Sequence, residues 1–129
     1  MPGPPHTPDL HGRWRLVSYY DEAEDGTTTE GPLGPEPYGL LYYGPDYVSV
    51  NMARGEPAPN LVNHLGYAGS WYVAGPHTLT HAIEVCSNPA WAGTEQSRTF
   101  RLEGDVLTLR GSAVVDGRTQ QRVLTWKRA

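Results

Sequence analysis

Apolar and polar residues alternate in short runs along most of the chain, which is the pattern of half-buried β-strands. Such runs recur at regular spacing at 13–20, 38–43, 47–52, 66–73, 77–86, 96–103, 106–110, 112–115 and 118–127, with a further short run at 27–29. Eight or nine short strands in one domain favour an all-β fold, a closed antiparallel up-and-down barrel, because closure leaves no exposed sheet edge. The window 53–64 lacks strand character, and we expect one or two short helical pieces there.

Dipeptides that are typical of tight turns separate these runs. The Gly-Asp pair at 104–105 predicts a two-residue hairpin in which Leu102 faces Leu107 on one side of the sheet. The Asp-Gly pair at 116–117 predicts a second hairpin of the same kind. The chain contains 15 glycines and 12 prolines, and breakers at this frequency exclude a helical bundle.

The length of 129 residues suits one domain, which we place at 10–129, after a Pro-rich tail at 1–9 that we expect to be disordered. The tail lacks the charged and apolar regions of a signal peptide. No apolar run approaches the roughly 18 residues of a membrane span. The single cysteine, Cys86, cannot form an intramolecular disulfide, which indicates a reducing compartment. We therefore expect a cytoplasmic protein without a membrane partner.

Charge and motifs exclude several other classes of function. The formal net charge is −4 and the ten basic residues are scattered, which argues against a nucleic-acid partner. The sequence has no Cys/His cluster or carboxylate-rich loop with metal-ligand spacing, and no phosphate-binding or dinucleotide-binding glycine motif. We expect no metal and no cofactor, and a monomer or homodimer.

Two polar side chains fall on the apolar faces of predicted strands. His81 shares a face of strand 77–86 with Leu79, Ile83 and Val85, and Arg98 shares a face of strand 96–103 with Phe100 and Leu102. An inward histidine is either a satisfied interior group or a catalyst. A buried arginine keeps its charge, so it needs a carboxylate, carbonyl groups or a bound anion. Arg98 is accordingly either a structural partner or a ligand anchor.

The aromatic residues suggest a polar interior. Eight Tyr and four Trp accompany one Phe, a bias that favours hydrogen-bonding aromatic side chains of the kind found in a pocket for an organic ligand. The predicted ligand-binding residues are Tyr19, Tyr43, Asn51, Tyr67 and Trp71. Alternation alone does not show which faces of strands 13–20 and 47–52 point inwards, because a ligand-binding barrel can carry polar groups inside.

Stretches that together span roughly residues 10–128 resemble the small bacterial lipocalin-like domain family. They are GRWRLVSYY, PLGPEPYGLLYYGPDYVSV, YAGSWYV, LTHAIEVCSNPAWAGTEQSR and LEGDVLTLRG…LTWKR. The resemblance implies that Trp14, in the Gly-x-Trp motif at the start of the first strand, closes one end of the barrel and that Arg128 packs across it. It also implies that His81 and Arg98, which fall in the fourth stretch, belong to the pocket.

Members of that family occur beside polyketide and other natural-product pathways, and related barrels act as cofactor-free cyclases. The first hypothesis is therefore a cofactor-independent cyclisation or isomerisation of a hydrophobic or polyketide-like molecule in secondary-metabolite biosynthesis. His81 would be a general acid or base, since the unperturbed pKa of histidine lies near the operating pH, and Arg98 would stabilise developing negative charge. The second hypothesis is a non-catalytic carrier or sequestering protein, and the third is a structural barrel with a filled core.

Overall fold

The computed structural model describes residues 9–115 and 117–129. The tail predicted at 1–9 thus lies outside the described residues except for its last position, and so does the first residue of the hairpin turn predicted at 116–117. No helix in the described part of the chain is long and apolar enough to cross a membrane.

The described residues form nine antiparallel strands. They are β1 (Gly12–Glu22), β2 (Thr28–Glu30), β3 (Tyr38–Tyr43), β4 (Tyr47–Ala53), β5 (His64–Gly75), β6 (Thr78–Cys86), β7 (Glu95–Glu103), β8 (Val106–Val115) and β9 (Arg118–Arg128). Strands β3 to β9 pair in chain order, and β1 pairs with both β3 and β9. These pairings close an eight-strand barrel, to which β2 adds a short strand beside the end of β1. The predicted all-β closed barrel is confirmed, and 106–110 and 112–115 are one continuous strand.

The prediction of short helical pieces at 53–64 is wrong. Residues 54–63 form an irregular loop, and the 3₁₀ turn found in the described residues is Pro89–Trp91, between β6 and β7. Side chains satisfy the backbone of the loop in place of a helix. Asn63 bonds both the N–H and the carbonyl oxygen of Ala58, and Arg54 donates to the carbonyl oxygen of Pro32 at 2.8 Å. Two prolines within the loop also remove helical donors.

A dense plug fills the end of the barrel where β1 begins and β9 ends. Trp14 and Trp126 are both almost fully buried there, and the indole N–H of Trp14 donates to the carbonyl oxygen of Leu10 at 3.0 Å. The guanidinium of Arg128 lies 4.2 Å from the centre of the Trp14 ring and donates to the carbonyl oxygen of His11. This cation–π contact is the arrangement that the resemblance implied.

A bulge in β1 decides which of its residues face inwards. The register with β9 shifts between Leu16 and Ser18, so that Val17 is an extra residue on the outer surface. Trp14 and Leu16 point inwards before the shift, and Tyr19 and Asp21 point inwards after it. A two-residue alternation cannot reproduce this change of face.

A second bulge corrects the predicted face of β6. Ala68 pairs with Val85 and Gly69 with Ile83, so that Glu84 is the extra residue. The inward face therefore ends at Ile83, and Val85 is 63% exposed, contrary to the prediction. Gly69 permits this close pairing, because a Cβ there would overlap the carbonyl oxygen of Ala82.

Candidate functional site

A cavity of about 390 Å³ lies inside the barrel, beyond the plug and towards the other end. Its wall combines apolar side chains with a few polar ones, and it includes Trp91 from the 3₁₀ turn and Val114 near the β8–β9 hairpin. The apolar members include Val50, Met52, Leu65, Leu109 and Leu124. This volume lies within the range of small-molecule sites. The barrel is hollow, which disfavours the third hypothesis of a filled core.

The ring of His81 is held between two tyrosine hydroxyls. The Tyr43 hydroxyl lies 2.6 Å from Nε2, and the Tyr67 hydroxyl lies 2.6 Å from Nδ1. The three residues come from β6, β3 and β5, and the curvature of the sheet brings β3 and β6 close enough for them to meet. Tyr43 is fully buried and does not line the cavity, whereas His81 and Tyr67 both do.

His81 is neutral at physiological pH. Burial, and secondarily the positive charge of Arg98, lowers the pKa of His81 from 6.5 to about 3. The pKa of His81 in this site is thus well below the unperturbed value of histidine. A neutral imidazole has one N–H donor and one acceptor nitrogen, so the two tyrosines have different roles.

Counting donors and acceptors assigns these roles. In the described residues the Tyr43 hydroxyl has no hydrogen-bond partner other than His81. If it accepted a hydrogen bond from Nε2, its own proton would be buried without an acceptor, at a cost of about 1–3 kcal/mol. Tyr43 therefore donates to Nε2, and the Nδ1–H of His81 donates to the oxygen of Tyr67. The proton of the Tyr67 hydroxyl is then free to point into the cavity.

Tyr67 remains a donor over the ordinary pH range. Burial raises the pKa of Tyr67 to about 12, although the charge of Arg98 opposes the increase. The chain of hydrogen bonds from Tyr43 through His81 thus ends in a hydroxyl that can donate to a ligand.

Arg98 brings a positive charge to the same cavity. It pairs across the sheet with Leu79, and His81 pairs with Gln96, so Arg98 and His81 are diagonal neighbours with Cα atoms about 7–8 Å apart. Its guanidinium donates to the side-chain oxygen of Gln96 at 3.0 Å and to the carbonyl oxygen of Ser97 at 3.1 Å. No carboxylate of the described residues forms an ion pair with it. The carbonyl-type partners leave its charge unneutralised.

The predicted site residues do not all reach the cavity. Its lining includes Tyr19, Tyr67, His81 and Arg98. Tyr43 lies behind His81, and Trp71 lies behind Tyr43, with 4.4 Å between their ring centres, where it donates to the carbonyl oxygen of Gly44. Both support the histidine without lining the cavity.

Asn51 lies outside the barrel. In β4 the inward residues are Val48, Val50 and Met52, and Asn51 alternates with them on the exposed face. Its side-chain oxygen lies 3.3 Å from Nε2 of His64, another exposed group. The structure therefore does not place Asn51 with the other predicted ligand-binding residues.

The wall of the cavity contains a second arginine, Arg122, which was not among the predicted site residues. Its Nε lies 3.5 Å from the carboxylate of Asp21, and its Nη1 donates to the hydroxyl of Tyr19 at 3.3 Å. Burial raises the pKa of Asp21, and the charge of Arg122 opposes this. The sequence did carry a signal for Arg122, because it shares a face of its strand with Leu124 and Trp126, as Arg98 shares a face with Phe100. Asp21 had no such signal, because it follows the bulge in β1.

The comparisons with known proteins agree with this architecture. A family model described as "Lipocalin-like domain" matches residues 11–129. The chain is also 30% identical over 82 residues to the 4'-hydroxy-3'-methoxypropiophenone carrier protein ppsC of Aspergillus oryzae. That alignment covers 57% of this chain and 74% of the relative.

The buried neutral histidine predicts a specific dependence of stability on pH. The unfolded chain binds a proton at His81 near pH 6.5, and the folded chain only near pH 3, so lowering the pH through this window favours unfolding. We expect His81 to contribute a slope of up to about 1.4 kcal/mol per pH unit to the free energy of unfolding. His81→Gln should remove this contribution, so that the difference in stability between wild type and variant shrinks as the pH falls.

Urea unfolding of both proteins between pH 4 and pH 7 measures this effect. His77→Gln, at an exposed position, is the matched control and should keep the wild-type slope. Identical slopes for wild type and His81→Gln would contradict a neutral, buried His81.

Proposed function

The chain belongs to the lipocalin-like domain family, and from this premise we propose that its barrel binds a small aromatic molecule that carries hydrogen-bond-accepting oxygens. Binding is non-covalent, and the protein carries or sequesters the ligand without changing it. Aryl ketones with phenol or methoxy substituents are the ligand class that we propose.

The observation that carries this proposal is the bias of the cavity towards hydrogen-bond donors. Tyr67 presents its hydroxyl proton, and Arg98 presents a guanidinium without a carboxylate partner in the described residues. Buried donors are costly when they remain unpaired. A ligand rich in acceptor oxygens satisfies them, and its aromatic ring fits between the apolar side chains of the wall.

The relative from Aspergillus oryzae supports the same ligand class. Its name describes a carrier of 4'-hydroxy-3'-methoxypropiophenone, a single aromatic ring with phenol, methoxy and ketone oxygens. Each of these oxygens accepts hydrogen bonds. A molecule of this kind is also small enough to be a reasonable occupant of a cavity of about 390 Å³.

The state of His81 favours carriage over catalysis. Both of its ring nitrogens are already hydrogen-bonded to tyrosines, so neither offers a free lone pair to a substrate proton. Its lowered pKa also makes the imidazole a weak base. His81 is therefore a positioning residue for Tyr67 in this proposal.

A cofactor-independent cyclisation or isomerisation in secondary-metabolite biosynthesis is the second candidate. It is favoured by the Tyr67 hydroxyl and the Arg98 guanidinium, which could stabilise an enolate oxygen together. The test is deuterium exchange at the CH₂ group beside the ketone of 4'-hydroxy-3'-methoxypropiophenone, followed by NMR. We expect no acceleration by the protein. Acceleration that is lost in Arg98→Met and His81→Gln would instead support the enzyme.

Binding of this ketone should depend on free space in the barrel. Ala113 lines the cavity, and Ala113→Phe should occupy part of it and weaken binding at least about tenfold, which is about 1.4 kcal/mol. Isothermal titration calorimetry measures the dissociation constant. Ala74→Phe, at an exposed position of β5, is the control and should bind as the wild type does. Absence of binding to the wild-type protein would contradict the proposed ligand class, and equal binding by Ala113→Phe would place the ligand outside the cavity.

A further inference from the structure

Two arginines of the cavity wall flank a glycine on the strand between them. Thr99 pairs with Arg110, so the residue before Thr99, Arg98, lies opposite Gly111, and Gly111 pairs with Arg122. Two strand spacings separate the Cα atoms of Arg98 and Arg122, roughly 10 Å in all. Both side chains line the cavity.

Gly111 makes room for the guanidinium of Arg98. A Cβ built on Gly111 would lie 2.7 Å from Nη1 and 2.9 Å from Cζ of Arg98, which is closer than side chains approach one another. The guanidinium therefore extends across β8, over the position where any other residue would have a side chain. It is directed towards the strand that carries Arg122.

The charges around this pair do not cancel. The ionisable side chains that face it are Tyr19 and Asp21 from β1, Tyr67 from β5, His81 from β6, Arg98 from β7 and Arg122 from β9. The residues of β8 that line the cavity, Leu109 and those from Gly111 to Val114, add no ionisable group. The tyrosines and His81 are neutral, and Asp21 pairs with Arg122. One positive charge, that of Arg98, remains without a counterion.

We propose that the cavity binds its aromatic ligand as an oxyanion, which Arg98 and Arg122 hold across Gly111. The inference rests on the proposed function, since it specifies the ionisation state of the ligand of the same cavity. A phenol with an acyl group on the ring is a suitable source, because the acyl group makes the phenol more acidic and the bound anion supplies the missing counterion. The Tyr67 hydroxyl is a further donor to the ligand oxygens.

Two probes of nearly the same shape test the ionisation state. 4'-Hydroxy-3'-methoxypropiophenone can lose its phenol proton, whereas 3',4'-dimethoxypropiophenone cannot. At pH 7 we expect the wild-type protein to bind the first probe about 10- to 100-fold more tightly, as charge-assisted hydrogen bonds predict. We also expect the absorption spectrum of the bound hydroxy probe to shift to longer wavelength, as it does when the phenolate forms.

Variants identify the charge that is responsible. Arg98→Met should abolish the spectral shift and bring the two affinities within about threefold of each other. Gly111→Ala removes no charge but displaces the guanidinium of Arg98, so it should reduce the preference for the hydroxy probe. This variant provides a second test if Arg98→Met does not fold. Arg101→Met removes a charge from the outer face of the same strand, where Arg101 pairs with Glu103, and should behave as the wild type does.

The outcomes separate this inference from the proposed function. If both probes bind equally and the hydroxy probe stays a phenol, the oxyanion inference is overturned and ligand binding stands. If neither probe binds, the proposed function fails and the inference fails with it. If Arg101→Met removes the preference as fully as Arg98→Met, the effect comes from overall charge and the assignment to this pair is overturned.

Discussion

The site depends on the two hydrogen bonds that hold the ring of His81. A buried imidazole in a closed barrel has to be neutral and has to satisfy both nitrogens, and Tyr43 and Tyr67 meet this requirement from two other strands. Tyr43 is buried more deeply than Tyr67, so Tyr43 donates its proton to the ring. The hydroxyl proton of Tyr67 then points into the cavity. The network that satisfies both nitrogens of His81 therefore also determines that the cavity presents a hydroxyl donor to a ligand.

The barrel divides its interior between stability and binding. Packing is dense where Trp14, Trp126 and Arg128 meet, and this plug anchors the first and last strands. Beyond the plug, the wall includes small residues such as Ser112 and Ala113, and Gly111 leaves room for the guanidinium of Arg98. The polar groups in that space are mainly donors. The cavity then selects acceptor-rich or anionic ligands, because its donors lack acceptors and the charge of Arg98 lacks a counterion. The apolar wall contributes affinity.

Periodicity was sufficient to predict the closed barrel, the hairpin register that places Leu102 opposite Leu107, and the inward orientation of His81 and Arg98. It was insufficient where the period changes. The bulge at Val17 brings Asp21 inside, and the bulge at Glu84 turns Val85 outside, and neither has a signature in alternation. Asn51 was misplaced because strand 47–52 offered two plausible faces. The pKa of His81 is lowered by its burial and by the charge of Arg98, and the depth of that burial is visible only in the tertiary structure.

The most direct test of this account is the protonation state of the His81 ring at pH 7, measured from the ¹⁵N chemical shifts of its two nitrogens by NMR. The account predicts a neutral ring with the proton on Nδ1 and an acceptor lone pair on Nε2. This result would mean that Tyr43 donates to the ring and that the Tyr67 hydroxyl proton is available to a ligand. A charged ring, or a neutral ring with the proton on Nε2, would contradict the direction of the hydrogen-bond chain and the donor character of the cavity.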